Sequence, residues 1–458
     1  MRYPGGLINC LSTTEPGPPS RSIAPRGRTR FGVSSIPVLG VSLLVATMGF
    51  TALLVVRGQS RMSMIQGDAA EARLLALSAI DLARLEIDSD PNWRTTYAGA
   101  TWGNERAVAP GKFYAWKVVD YATGGSVTTD ELASVRVVGK GRVGSGIQLQ
   151  SVVLTAKITP LDVLRTTVHS NDNLHAGAPI TTTGGPVSTN ALLLRLATII
   201  GKAEAASTLG WADVTGGLTC PAPLKTMPDP SVFDIYRNMA TQLLWGGGAE
   251  DWTITWPLLS AGINPSGGST NADGIYFISV PAGKTLILEM SRIKGSLVVE
   301  CGDAASVRLR EPVCWEPHRT DLPILLVKHL TNSLVDDRIE AGAGSIVETS
   351  VGANLNPPHT PYNGVSNSII AATDTYPSQL KGLIHVISPP PNIHGSRTRI
   401  GNGVTIIGTL VTDQRVRTVD DGTSNLTFSP TLYAAPPKGY YTVDMIPSPG
   451  SWRQEALP

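Results

Sequence analysis

The sequence predicts two kinds of structure in series. The first is an α+β unit, a long N-terminal helix on an antiparallel sheet. The second is a mainly-β domain arranged as a right-handed parallel β-solenoid. Three observations predict this. Phe31 to Val56 carries no formal charge and runs directly into a stretch of helical periodicity. Residues 112–158 hold three strand-like segments separated by glycine turns. Between residues 294 and 412 a short glycine-led pattern recurs. The expected organisation is a disordered basic leader (1–30), a transmembrane helix (31–56), an amphipathic helix extension (57–90) and a small antiparallel sheet domain (91–160). An irregular insertion with short helices and strands (161–274), a solenoid-like domain (275–435) and a Pro/Gly-rich C-terminal tail (436–458) follow. Only 16% of residues are charged, against the usual quarter, and 47 glycines and 34 prolines favour strands and turns. A net charge of +1 gives no reason to expect a nucleic-acid partner.

In the leader, Pro16-Gly17-Pro18-Pro19 and Pro25-Arg26-Gly27 cannot propagate regular structure. Arg21, Arg26, Arg28 and Arg30 crowd the approach to the apolar run. On the positive-inside rule this end stays in the cytoplasm and the C-terminal bulk is exported, a bias that Arg57 and Arg61 weaken. At ~1.5 Å per residue, Phe31–Val56 is long enough to cross a bilayer core of roughly 30 Å. A cleaved signal peptide fits less well. Its apolar core is shorter and ends in a small-x-small site, whereas this run ends in Leu53-Leu54-Val55-Val56-Arg57. A buried core helix seldom stays uncharged over such a length. A lipobox reading of Leu7-Ile8-Asn9-Cys10 fails because the cysteine precedes the apolar segment. Pro37 is tolerable in a first helical turn.

Beyond the run, Met62, Ile65, Ala69, Ala72, Ala76, Ala79 and Ala83 recur at spacings of three and four, widened by Leu75 and Leu82. Arg61, Asp68, Glu71, Arg73, Asp81 and Arg84 lie largely outside that stripe. This is the pattern of a helix with one face against other structure, and the protein's own sheet is the expected cover. The helix should stop near Asp88, ahead of Asp90-Pro91, giving a combined length of ~80 Å over residues 34–87. Lys112–Tyr121, Leu132–Val143 and Ile147–Ile158 then read as a meander, with Gly124-Gly125 and Gly144-Ser145-Gly146 as turns.

This layout over residues 26–158 resembles type IV pilin-like proteins, which join a basic leader, an apolar helix and a helix extension packed on an antiparallel sheet. Within them it looks most like the PilX type of minor pilin-like protein, on the Ala/Glu/Leu-rich stretch Asp68-Ala69-Ala70-Glu71-Ala72-Arg73-Leu74. The resemblance implies cleavage by a prepilin peptidase after a glycine, and Gly32-Val33 is the best-placed junction. It also implies a glutamate at the fifth mature position, where this chain has Pro37. The implied partners are the lipid bilayer, other pilin-like or assembly-platform subunits, and the peptidase.

In the second half, Lys294-Gly295-Ser296-Leu297-Val298-Val299, Lys381-Gly382-Leu383-Ile384-His385-Val386 and Ile407-Gly408-Thr409-Leu410-Val411-Thr412 share Gly-x followed by apolar residues. Ile275–Val280, Thr285–Glu289, Ser306–Arg310, Ile324–Lys328 and Ser345–Ser350 also read as strands. Strands at this spacing suit stacked rungs, which bury their apolar side only by stacking. A β-sandwich has similar spacing, and the recurrence favours the solenoid. Ala191–Ala206 and Ser231–Leu244 are expected as helices. Trp245, Trp252 and Trp256 either plug one end of the solenoid core or bind a partner or sugar ring. The second half also resembles the C-terminal regions of certain bacterial pilin-like surface proteins, through Val313-Cys314-Trp315-Glu316-Pro317, Thr375-Tyr376-Pro377-Ser378, Ala435-Pro436-Pro437-Lys438-Gly439-Tyr440 and Pro449-Gly450-Ser451-Trp452-Arg453.

No nucleophile elbow, Walker A loop, dinucleotide fingerprint or His-Glu-x-x-His occurs. His318 near Asp321 reads as a polar turn, and Asp420-Asp421-Gly422 as a β-turn more than a calcium loop. Glu300, Asp303, Arg308, Arg310 and Glu311 would form a solvated strand face or, less simply, a polysaccharide-processing cluster. Cys301 and Cys314 are a candidate disulfide if the compartment is oxidising, with two buried thiols as the alternative. No cofactor, metal or catalytic residue is expected. The expected function is a non-enzymatic structural component of a type IV pilus or type II secretion-like assembly. It would be a single-pass protein of the bacterial cytoplasmic membrane, with its N-terminus cytoplasmic and its large C-terminal domain extracytoplasmic. The alternative is a membrane-anchored carbohydrate-binding or carbohydrate-active β-solenoid protein.

Overall fold

The computed structural model describes residues 35–310, 312–342, 344–389, 395–401, 403–419 and 422–457. A long N-terminal helix leads into a mainly-β structure with both antiparallel and parallel sheets. The helix, α1, spans Ser35–Ser89. Its second half lies on a meander of β1 (Arg106–Ala109), β2 (Lys112–Asp120), β3 (Val135–Val143) and β4 (Gly146–Pro160), as the alanine stripe predicts. Ala72, Ala76, Ala79 and Ala83 are fully buried, together with Ile80 and Ile87. Ala79, Ile80, Ala83 and Ile87 meet Trp116, Val118, Val137, Val152 and Leu154 in one apolar cluster. Met62 and Ile65, expected on the same stripe, are exposed because the sheet does not reach them.

The sheet is not finished by the local chain. Tyr441–Pro447 pairs antiparallel with the second half of β4, and Arg453–Glu455 pairs with Leu149–Ser151 of the same strand. Residues 436–458, expected as a tail, therefore supply two strands to the first sheet. Their sequence is rich in Pro and Gly, but Tyr441-Thr442-Val443 and Met445-Ile446 are ordinary strand formers. The chain leaves and rejoins this unit at one place, where the Leu161 N–H donates to the Tyr440 carbonyl at 3.0 Å. Everything between is an insertion into the small unit.

That insertion is built on parallel ladders. Leu297, Leu325, Ile384, Leu410, Val168 and Val187 pair successively in register, and all are buried in one long core. The three glycine-led repeats fall into line on this ladder. Gly295, Gly382 and Gly408 each stand two residues before a core member of the column, and Gly382 pairs directly with Gly408. A Cβ on Gly408 would sit 2.0 Å from the Gly382 carbonyl oxygen, so the approach excludes any side chain. A second set of ladders runs through Ser306–Arg310, Asp336–Glu340, Arg397–Ile400 and Arg415–Thr418.

The order of stacking departs from the chain order. Thr405–Thr412 pairs with Val168–Ser170, far earlier in sequence. The early strands 168–219 continue the stack beyond the late ones, while Thr241–Leu243, Trp252–Ile254 and Leu258–Ser260 start it at the other end. The irregular insertion expected at 161–274 is thus largely part of the ladders. Ala191–Ala206 is not a helix: Val187–Arg195 and Ala203–Gly210 are strands, because neighbouring strands pair with them on the stack. Ser231–Leu244 is a helix only over Val232–Met239, after which the chain turns extended. Val232, Phe233 and Tyr236 of that helix cover the outer side of Val298, Leu326 and Val411. Of the segment expected as a strand at Ser345–Ser350, only Ser345–Val347 is extended, pairing antiparallel with Thr375–Pro377 off the ladders, and Glu348–Val351 turns helical.

Candidate functional site: the bare half of the N-terminal helix

Among the described residues, one helix is long and apolar enough to cross a membrane by length and composition, and its most apolar stretch is wholly unburied by the rest of the chain. Val38, Leu39, Val41, Leu43, Val45, Met48, Phe50 and Leu53 are each more than half exposed. Such a surface is unfavourable in water at about 25 cal/mol per Å² of apolar area. The few polar groups along it are satisfied internally. The Ser42 hydroxyl donates to the Val38 carbonyl at 2.7 Å, Thr47 to Leu44 at 2.9 Å, and Thr51 to Thr47 at 2.9 Å. A helix whose hydroxyls bond its own carbonyls presents no unmet donor to a lipid or protein surround.

The other half is held by backbone proximity. An added Cβ on Gly139 would lie 2.1 Å from the Ala76 carbonyl oxygen, and one on Gly141 would lie 1.9 Å from that of Ala72. Small residues on both sides let the helix sink onto β3. Charged contacts fix the rotation: Lys112 pairs with Glu71, Arg106 pairs with Glu86 at 3.0 Å, and the Tyr97 hydroxyl donates to Glu86. These glycines went unremarked in the sequence reading. The alternation Val138-Gly139-Lys140-Gly141-Arg142 inside a strand was the available signal, since glycine in a strand marks close approach.

The predicted site residues fall as follows. Gly32, Val33, Cys10, Glu311, Asp420 and Asp421 lie outside the described residues. Cys301 and Cys314 are free and buried, and the structure does not bring them together. Cys301 belongs to the long core, whereas Cys314 faces a separate cluster with Leu258, Ile346, Leu355 and Tyr376. Burial raises the pKa of both thiols, Cys314 to about 11. Trp245, Trp252 and Trp256 form an edge-to-face chain, with centroids 5.5 and 5.9 Å apart, packed in or against the core at its first rung. Glu300 pairs with Arg237 at 3.1 Å, Asp303 accepts from Thr331 at 2.8 Å, and Arg310 lies 3.7 Å from Glu289. Each of these has its own partner. Asp321 is bound by Arg319, not His318. Among the described residues, no group of three or more His, Cys, Asp or Glu side chains is placed to hold a metal.

A cleft of about 700 Å³ opens where the small unit meets the insertion, lined by Ile158, Tyr236, Arg319, Tyr433, Lys438 and Tyr441. Its polar groups are committed: Arg319 to Asp273 at 2.9 Å and to Asp321, and the Tyr441 hydroxyl to Glu131 at 2.8 Å.

No protein-family model matches the chain, and no curated protein matches it. Among solved structures, the chain is similar to the competence-associated pilin ComZ from Thermus thermophilus, at 9% identity and a TM-score of 0.28, over 85% of this chain and 97% of that one. A TM-score of that size is too low to argue fold or function from.

Proposed function

We propose that this chain is a non-enzymatic structural subunit of a type IV pilus or type II secretion-like assembly, of the PilX-type minor pilin-like kind. The carrying observation is the divided helix. One continuous α1 is bare and apolar in its first half and sealed to an antiparallel sheet in its second. In the membrane, lipid covers the bare half. In the assembly, the bare halves of neighbouring subunits replace the lipid, so the same surface serves storage and polymer. The parallel ladders, read as a right-handed β-solenoid, form a head carried outside the cytoplasmic membrane, while the basic leader stays in the cytoplasm until a prepilin peptidase cuts at Gly32-Val33.

N-terminal sequencing of protein extracted from membranes tests this. The expected start is Val33. An intact Met1 removes the peptidase and leaves a simple anchored surface protein, and a start beyond residue 56 removes the anchor. Cysteine cross-linking from Val45→Cys within cells is expected to capture another subunit's helix. Capture of nothing but lipid-facing monomer argues against assembly.

A further inference from the structure

The second set of ladders carries an uninterrupted column of arginines on its outer side. Arg308 pairs in register with Arg338, Arg338 with Arg399, and Arg399 with Arg417. Beside it, Arg397 pairs with Arg415. Along these strands the arginines alternate with buried residues, so all of them point away from the core. Adjacent strands lie ~4.8 Å apart, which sets the spacing of the guanidiniums.

Like charges at that spacing repel and need a reason to be stacked. Part of the charge is met within the chain. Asp336 lies 2.8 Å from Arg397, 2.6 Å from Arg399 and 3.1 Å from Arg338, and Glu340 lies 3.5 Å from Arg338. Burial would raise the Asp336 pKa, but these arginines outweigh it and hold the carboxyl below its usual value. The rest is unmet. Among the described residues no acid pairs with Arg308, Arg415 or Arg417, and the Nε atoms of Arg308 and Arg415 are buried without an acceptor. The local field is correspondingly positive. Burial, then Arg415 and Arg417, lower the pKa of His175, which continues the column next to Arg417, and Asp172 only partly offsets them.

We propose that this column binds an extended acidic polysaccharide, whose carboxylates meet the guanidiniums left open at Arg308, Arg415 and Arg417. Three features favour that occupant. Guanidinium matches carboxylate bidentately. The arginines stand on in-register parallel strands ~4.8 Å apart, two abreast at Arg397/Arg399 and Arg415/Arg417, which presents an extended row of positive charge to an extended polyanion. A nucleic acid would want aromatic side chains for its bases, and the four strands bearing the column hold none.

The test uses the full chain in detergent, with binding to polygalacturonate measured beside neutral dextran and single-stranded DNA. The chain is expected to bind polygalacturonate, not dextran, with affinity that falls as salt rises. The double variant Arg415→Gln/Arg417→Gln is expected to lose about tenfold or more in affinity, equivalent to at least one charged hydrogen bond, with an unchanged melting temperature. Arg61→Gln/Arg73→Gln, on the helix, is expected to leave affinity unchanged. Failure to bind polygalacturonate, equal binding by the Arg415/Arg417 variant, or tighter binding of single-stranded DNA would each overturn the proposal.

Discussion

The small antiparallel unit and the inserted parallel stack both press backbone against backbone at glycine, yet they place their polar groups in opposite ways. In the unit, Gly139 and Gly141 meet the carbonyls of Ala76 and Ala72, and the surrounding core is apolar. Its integrity depends on one helix–sheet interface and on a strand that arrives from the far end of the chain. In the stack, Gly408 meets Gly382, but the interface repeats from rung to rung and polar groups are built into it. Arg292 is fully buried, pairs with Glu316 at 3.0 Å and donates to the Thr360 and Pro361 carbonyls at 3.0 and 3.1 Å. His385 Nδ1 lies 2.8 Å from the Tyr440 hydroxyl, and His329 Nε2 lies 2.8 Å from Asp337. In the stack the loops at the strand ends bring backbone carbonyls to the buried Arg292, whereas the cluster between α1 and its sheet is made of apolar side chains.

The largest expected separation of the two regions is by acid. Burial lowers the pKa of His385 and His169 to about 3, with Lys225 adding to the effect at His169. Below the unfolded value of 6.5 the unfolded chain takes up these protons and the folded chain does not. Stability is therefore intact above pH 6.5 and falls as pH drops toward 3, by at most about 5 kcal/mol per histidine. Asp413, raised to about 6 by burial, acts in the opposite sense as pH falls from 6 to 4. All seven histidines lie between residues 169 and 394, so the stack is expected to lose protection on acidification before the helix–sheet unit does. Hydrogen exchange followed at pH 7 and pH 4 checks this, and equal loss in both regions would contradict it.

Next in size, Arg292→Ala is expected to cost about 3–5 kcal/mol, because it leaves Glu316 without its partner and buried carbonyls without a donor. Chemical denaturation of the variant, read with a probe in the stack, measures it. In the unit, Gly141→Val is expected to cost about 3 kcal/mol by forcing the helix off the sheet, while Gly49→Val, with nothing within 4 Å, leaves unfolding unchanged. Limited proteolysis of α1 distinguishes the two. Smallest is Tyr440→Phe, which removes the hydroxyl beside His385 where the chain returns to the unit, for about 1 kcal/mol. A cost confined to either region, and not shared, would show that the two unfold independently.

The sequence was most legible where periodicity is local. The extent of α1, the burial of Ala72, Ala76, Ala79 and Ala83, the strands β2 to β4 and several later strands follow from spacing alone. The glycine-led repeats were also readable as strands, and Gly382 and Gly408 stand where two parallel strands approach closely. What failed was long-range pairing. Ala191–Ala206 has the composition of a helix, but parallel neighbours hold it as strands. The C-terminal residues look like a tail until β4 offers them an edge.

Local pattern therefore determined α1, the strands β2 to β4 and which half of α1 is left bare, because those depend on residues a few positions apart. Only the tertiary structure decided that the last strand closes the first sheet, that residues 168–219 extend the stack built by residues 241–427, and that arginines from four separate segments line up. Those outcomes require ladder hydrogen bonds between segments distant in sequence, and no local pattern carries the register that aligns them.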